Sequence, residues 1–186
     1  LQNLKMVEGD EQGNEVKAVK TELMVAKAEK QAVAQVQKLI RKHKGKSIEP
    51  DLWFRLAELH MRRSKTERFF EIHRESETVV SLTPRMVKKA SSRRAITQAV
   101  ETYEHIQKRF PRFDRMDLVM FNNAFARQHI GQGKSAESIY WNLIRKFPNS
   151  HLVPDAHLAI GELSFERKNF KHALEHFLAI EKYPSS

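Results

Sequence analysis

Cysteine is absent from this 186-residue chain, which removes disulfides, thiolate metal sites and cysteine nucleophiles together. The absence does not choose a compartment, because cysteine-free chains suit a reducing cytoplasm and an oxidising periplasm equally. Glycine and proline are scarce, six of each, which leaves little room for the turns of a β-sandwich or for a phosphate loop. Strand-like alternation is missing at any useful length. No apolar run approaches the roughly 20 residues that cross a bilayer. Leu1–Asp10 lacks the basic-then-apolar order of a signal peptide. There is no initiator Met, so a processed or excised piece of a longer protein is expected.

What is present is helical. After a polar stretch over 1–15, expected to be disordered, Val16, Val19, Leu23, Ala26, Val33, Val36 and Ile40 recur at three- and four-residue steps. That spacing predicts one amphipathic helix within 16–48, closed by Lys44-Gly45-Lys46-Ser47. Pro50 and Asp51 open the next, with Leu52, Trp53, Leu56, Leu59 and, further on, Phe69, Phe70 and Ile72 on its apolar face. Ser91 and Ser92 are placed to cap a helix carrying Ile96, Ala99, Val100, Tyr103 and Ile106, stopped by Pro111. Four shorter helices follow, over about 114–130, 135–147, 154–167 and 170–182.

The formal charge is +10, and the excess is uneven. Residues 79–112 hold eight basic and two acidic side chains, and Arg85, Lys88, Lys89, Arg93 and Arg94 form the densest part. Such a patch attracts nucleic acid, anionic lipid or an acidic protein by steering, and discriminates poorly among them. No stacking aromatics or recognition helix accompany it, so specific nucleic-acid recognition is not expected.

Internal self-similarity is the strongest signal. Ala99, Ala136 and Ala173 are 37 residues apart, and Tyr103, Tyr140 and Phe177 keep the same interval. Pro111 and Pro148 each follow their alanine by twelve residues, and Pro184 follows by eleven. A small residue on one helix permits close approach of its partner, so Ala57 or Gly161 and the alanines mark crossing points. The aromatic one turn later fills the space behind, and the proline redirects the chain. A single hairpin of this kind cannot bury its apolar face alone and must stack.

On these residues the chain from about 50 to 186 resembles the tetratricopeptide-repeat (TPR) family, with its Trp-x2-Leu-Gly-x2-Tyr, Ala-x3-Phe and Pro pattern. The resemblance implies an all-α fold: a right-handed α-solenoid of stacked antiparallel hairpins, about three repeats plus an N-terminal helix. The hairpins would occupy 50–111, 113–149 and 152–186, the first interrupted by a basic insertion at about 64–91. Departures are the interval of 37 rather than about 34, and Met120, Asn123 and Ala124 where Trp, Leu and Gly are usual. The phrases around Pro50–His60, Phe113–Ala126 and Val153–Ser186 are also similar to those of envelope TPR proteins of gliding and predatory deltaproteobacteria. That narrower likeness implies a longer array and a cell-envelope, periplasmic or motility-related setting, with a cytoplasmic adaptor of a polarity or motility regulator as the alternative.

In that family the first helices of successive units line a concave groove. Matching positions here are Phe54, Arg55, Glu58, Met61 and Arg62 in the first unit. The second contributes Phe121, Asn122, Phe125, Gln128 and His129, and the third Leu158, Glu162, Phe165 and Glu166. Asn122 stands where family members often use asparagine to bond a peptide backbone. The Lys/Arg clamp of chaperone-tail binders is not reproduced. The function implied is a non-catalytic scaffold for a peptide or protein, with an adaptor for anionic polymers or lipid head groups, acting through Arg85–Arg94, as the rival. The aromatics Phe54, Phe121, Phe125 and Phe165 also have an alternative use as core.

Two strings resemble catalytic motifs and are read otherwise. His172-Ala-Leu-Glu175-His176 sets two imidazoles on one helical face, as zinc requires, yet flanks Ala173 and Phe177, which the repeat needs for packing. The histidines are therefore expected on the wet side of that helix, with no metal or other cofactor. Gly131-Gln-Gly133-Lys134-Ser135 lacks both the upstream glycine and the strand of a phosphate loop, and reads as a polar turn.

Overall fold

Apolar positions at helical spacing and an almost complete lack of strand patterning lead to seven α-helices, with no strand among the described residues, in the computed structural model. It describes 2–73, 75 and 91–183, with side chains from Gly13 onward. In chain order these are α1 (Gln2–Lys42), α2 (Glu49–Ile72), α3 (Ser92–Arg109), α4 (Met116–His129), α5 (Gly133–Lys146), α6 (Val153–Glu166) and α7 (Phe170–Ile180). The chain divides into two compact units, Leu1–Gln98 and Ala99–Ser186.

In the first unit α1 packs along α2. Its inward residues, Val19, Leu23, Ala26, Glu29, Val33, Val36 and Ile40, repeat every three or four positions, and Val19, Glu29 and Ile40 are buried. Val19 meets Phe70, with Leu23, Ala26 and Phe69 around them. Two expectations change. The helix already spans the polar stretch from Gln2, where Gln, Glu, Lys, Met and Leu favour helix and only a few residues, such as Gly9 and Gly13, oppose it. α2 runs on to Ile72, past the start at about 64 expected for the insertion, with Phe69 and Phe70 extending its buried side as their place on the apolar face implies.

The turn into α2 uses Gly45 at φ +75°, and its N–H donates to Glu49 Oε2 at 2.5 Å. At the far end of α2, Glu71 reaches the start of α3 and accepts hydrogen bonds from both serines. The Ser91 and Ser92 N–H groups donate to Glu71 Oε1 at 2.8 and 2.9 Å, and Ser92 Oγ donates to Oε2 at 2.5 Å. A carboxylate on the orphan N–H groups of a helix start is favoured by hydrogen bonding and by the dipole. Burial pushes Glu71 up, but the three donors outweigh it and leave its carboxyl below the ordinary value. Glu71→Ala is expected to cost about 1–2 kcal/mol in urea unfolding at neutral pH, as solvent access holds the figure down. The difference from wild type should shrink as pH falls through the depressed carboxyl range, since the wild type then loses the same bonds.

The second unit shows the 37-residue interval in three dimensions. Met116 to Val153, His129 to Glu166 and Gly133 to Phe170 are each 37 positions apart, so the bounds of α6 and the start of α7 fall at that interval from those of α4 and α5. The burial repeats too. Met116, Val119, Asn123, Ala124 and Ala126 are buried on α4, and Val153, Ala156, Ile160, Gly161 and Leu163 on α6. Both hairpin turns carry one left-handed residue, Gly131 at φ +80° and Lys168 at φ 61°, again 37 apart. α4 packs on α5, α5 on α6, and α6 on α7. Ala99, Ala136 and Ala173 are all buried, as are Tyr103 and Tyr140, whereas Phe177 is half-buried. At the α6–α7 crossing, a Cβ added to Gly161 would lie 2.3 Å from Phe177 Cε1.

Candidate functional site

The cleft of the second unit is built by helix starts and ends. α4 presents Phe125, Gln128 and His129 on successive turns near its C-terminus, and α6 presents Glu162 and Glu166 at the equivalent depth. Between them lies a cavity of about 890 Å³, closed at one side by Gly131–Ser135 and floored by Leu163, with Arg167 at the rim. The walls can approach because Gly133 has no side chain: a Cβ there would sit 3.2 Å from Leu163 Cδ2. Arg167 is held by an ion pair with Glu137 at 2.7 Å and by a hydrogen bond from its Nε to the Leu163 carbonyl at 3.0 Å. Phe125 is 41% exposed and stands edge-on to His129, ring centroids 4.3 Å apart. The arrangement is an aromatic anchor in a trough whose rim carries carboxylates, a guanidinium, a lysine and amides. Such a lining suits an extended chain better than a small molecule.

Of the positions implied by the resemblance, Phe125, Gln128, His129, Glu162 and Glu166 come together in this cleft. Phe121 and Asn122 lie half-buried one to two turns earlier on α4, with Phe121 edge-on to Tyr140 at 5.4 Å. Leu158 and Phe165 are exposed on α6, and Phe165 packs on Phe170 at 5.3 Å. In the first unit Phe54 is 2% exposed and belongs to the core rather than to a groove. Arg55 pairs with Glu58 at 3.1 Å, Met61 is half-buried and Arg62 is exposed. Arg93 and Arg94 are exposed on the first turn of α3, and Arg85, Lys88 and Lys89 lie outside the described residues. Gly131–Ser135, read from sequence as a polar turn, lines the cleft, and Gly133–Ser135 already form the first turn of α5.

The histidines are not on the wet side. His176 is 4% exposed, its Nδ1 lies 2.9 Å from His157 Nδ1, and its ring faces Trp141 at 4.9 Å and His172 at 4.7 Å. His172 Nδ1 is 2.8 Å from the buried Ser164 Oγ. The His157 and Trp141 partners come from other helices, which spacing along one helix does not reveal. Among the described residues no group of three or more His, Asp or Glu side chains is arranged to hold a metal ion. Among them, too, no helix is long and apolar enough to cross a membrane.

No protein-family model matches the chain, and no curated protein or solved structure matches it either. The cleft and the recurring hairpins therefore stand on the residues themselves.

Proposed function

We propose that this chain is a non-catalytic scaffold of the TPR type, whose hairpins α4–α5 and α6–α7 stack as in a right-handed α-solenoid and hold a peptide or protein segment in the α4/α6 cleft. The observation that carries the reading is the coincidence of two things. Helix boundaries and buried positions recur at 37 residues, and the two equivalent helices turn matching stripes toward one cavity. A repeat that stacks leaves such a trough between successive first helices. A cell-envelope or motility-related assembly as its setting rests on the narrower sequence likeness alone.

Phe125 is the anchor, since a partly exposed aromatic beside amides gives area at low entropic cost. Selection of peptides from a random library on the immobilised chain should yield binders that lose about tenfold affinity or more with Phe125→Ala, and again with Glu162→Lys. Both side chains are exposed, so circular dichroism should stay unchanged. Binders indifferent to both substitutions would remove the cleft as the site. Binding that instead weakens steeply with salt and depends on Arg93 and Arg94 would favour the anionic-surface reading.

A further inference from the structure

We infer that the tip of the α1–α2 hairpin is a contact surface for anionic lipid, where a group of cations bracketed by two aliphatic side chains settles on the head groups of a negatively charged membrane. Lys38, Arg41, Lys42, Lys44 and Lys46 put five cations into nine residues without one carboxylate. All five are exposed. No ion pair among the described residues uses any of them.

The tip is built to hold these charges outward. Lys38 and Lys42 lie one turn apart on α1, on the side away from buried Ile40, with Arg41 beside them. Past the helix end the chain is pinned by successive backbone bonds, from Lys46 N–H to the His43 carbonyl and from Glu49 N–H to the Lys46 carbonyl, both at 3.0 Å. Gly45 turns between them at φ +75°, and nothing stands within 4 Å of the place a Cβ would take. Lys44 and Lys46 therefore flank an open point of backbone. The nearest carboxylate along the chain is withdrawn from them. Glu49 is 6% exposed, and its oxygens accept from the Gly45 N–H at 2.5 Å and from Trp53 Nε1 at 3.3 Å.

Helix formation alone does not call for this many cations. Arg41 and Lys42 occupy the last turn of α1, where a positive charge suits the dipole. Lys38 precedes that turn, and Lys44 and Lys46 lie beyond it, so their charge is left to an outside anion. Leu39 and Ile48, 40% and 48% exposed, bracket the turn. A nucleic-acid duplex gives such side chains nothing, and 38–48 holds no Phe, Tyr, Trp, Asn or Gln to stack on bases or read them. The boundary of an anionic bilayer takes both kinds of group at once, cations at the phosphates and aliphatic carbons at the acyl edge. The place in the fold also suits a flat partner. Hairpins in a stacked array lie flank to flank, so the turn at a hairpin's end stays open whatever packs beside its helices.

Flotation of the whole chain with vesicles tests the contact. Vesicles of phosphatidylcholine with about one-third phosphatidylglycerol should carry the chain, and phosphatidylcholine alone should not. Binding should weaken steeply as sodium chloride is raised. Lys42→Gln with Lys44→Gln and Lys46→Gln should weaken it about a hundredfold, each lost cation counting for roughly fivefold. Arg93→Gln with Arg94→Gln, the exposed cations of α3, should change it by no more than about threefold through net charge alone. Ile48→Ser puts a favoured capping residue at the start of α2 and should keep the fold. It should nevertheless lower affinity for the charged vesicles severalfold while leaving binding to a DNA duplex unchanged. Circular dichroism should be the same for every variant. Equal binding to neutral vesicles, a triple variant that floats as the wild type does, or a larger loss from the α3 pair would each overturn the inference. So would a DNA duplex that strips the chain from the vesicles at equal phosphate, or vesicle binding indifferent to Ile48→Ser. None of the tip residues lines the α4/α6 cleft, so either site can fail its test without the other.

Discussion

Gly161→Ala should destabilise the chain by about 2–3 kcal/mol, the upper range for adding a single carbon to a packed crossing. A Cβ at this position would lie 2.3, 2.7 and 3.0 Å from three carbons of the Phe177 ring. An aromatic ring cannot yield by bending, so either Phe177 leaves its rotamer or α6 and α7 separate. Both responses expose apolar surface in the α6–α7 hairpin, where Ile160 and Leu163 are buried beside the crossing. The effect should be non-additive: Phe177→Ala alone costs stability by opening a cavity, yet in the Gly161→Ala background it should cost little, because the ring is already displaced. Chemical denaturation of the four proteins of this cycle measures the coupling. Additive losses would mean that Gly161 is small for some other reason. Ala124, the equivalent residue on α4, carries the Cβ that Gly161 lacks and is fully buried.

How far the sequence reaches is visible in the same residues. The interval linking Ala99, Ala136 and Ala173 is legible because close helix crossings demand small side chains, and all three are buried as that demand implies. Helix ends at Gly131 and Pro148 were legible for a local reason, a glycine free to turn left-handed and a proline that stops the helix. The cleft was legible in part. The resemblance assigns Phe125, Gln128, His129, Glu162 and Glu166 to one groove, but it does not say that Gly131–Ser135 lines the same cavity. Phe54 was misassigned because α2 buries more than one stripe, with Phe54, Leu56, Ala57, Leu59 and His60 all inaccessible. A periodicity argument presumes a wet face, and that stretch of α2 has little of one. Glu71 as the cap of α3 depends on two chain segments about twenty residues apart meeting in space, which no local pattern encodes.

Acidification from pH 6.5 toward 4 should weaken the fold by on the order of 2 kcal/mol, since two imidazoles are buried in the neutral form and solvent at the rim screens part of the cost. Burial, followed by neighbouring His157 and His172, holds His176 down at about 4, while Glu137 and Glu175 pull weakly the other way. Burial and then Arg63 hold His60 at about 4 as well. Burial and then Lys182 lower His157. The Nδ1–Nδ1 contact between His157 and His176 gives the geometric reason. One ring must donate and the other accept, so the pair holds a single shared proton and a second one breaks the bond. The sign follows from comparison with the unfolded chain, in which each histidine takes up a proton near 6.5. Above that value both states are neutral and the stabilisation is complete; below it the unfolded state binds more protons, until the folded rings also titrate near 4. Glu29 acts in opposition, because burial raises its carboxyl and the folded state gains as pH falls through that raised value. Thermal melts across this range should therefore show a falling midpoint that is softened but not reversed by Glu29. Joint His60→Leu and His176→Leu substitution should flatten the curve, and a midpoint that rises on acidification in the wild type would contradict the assignment of these rings as buried and neutral.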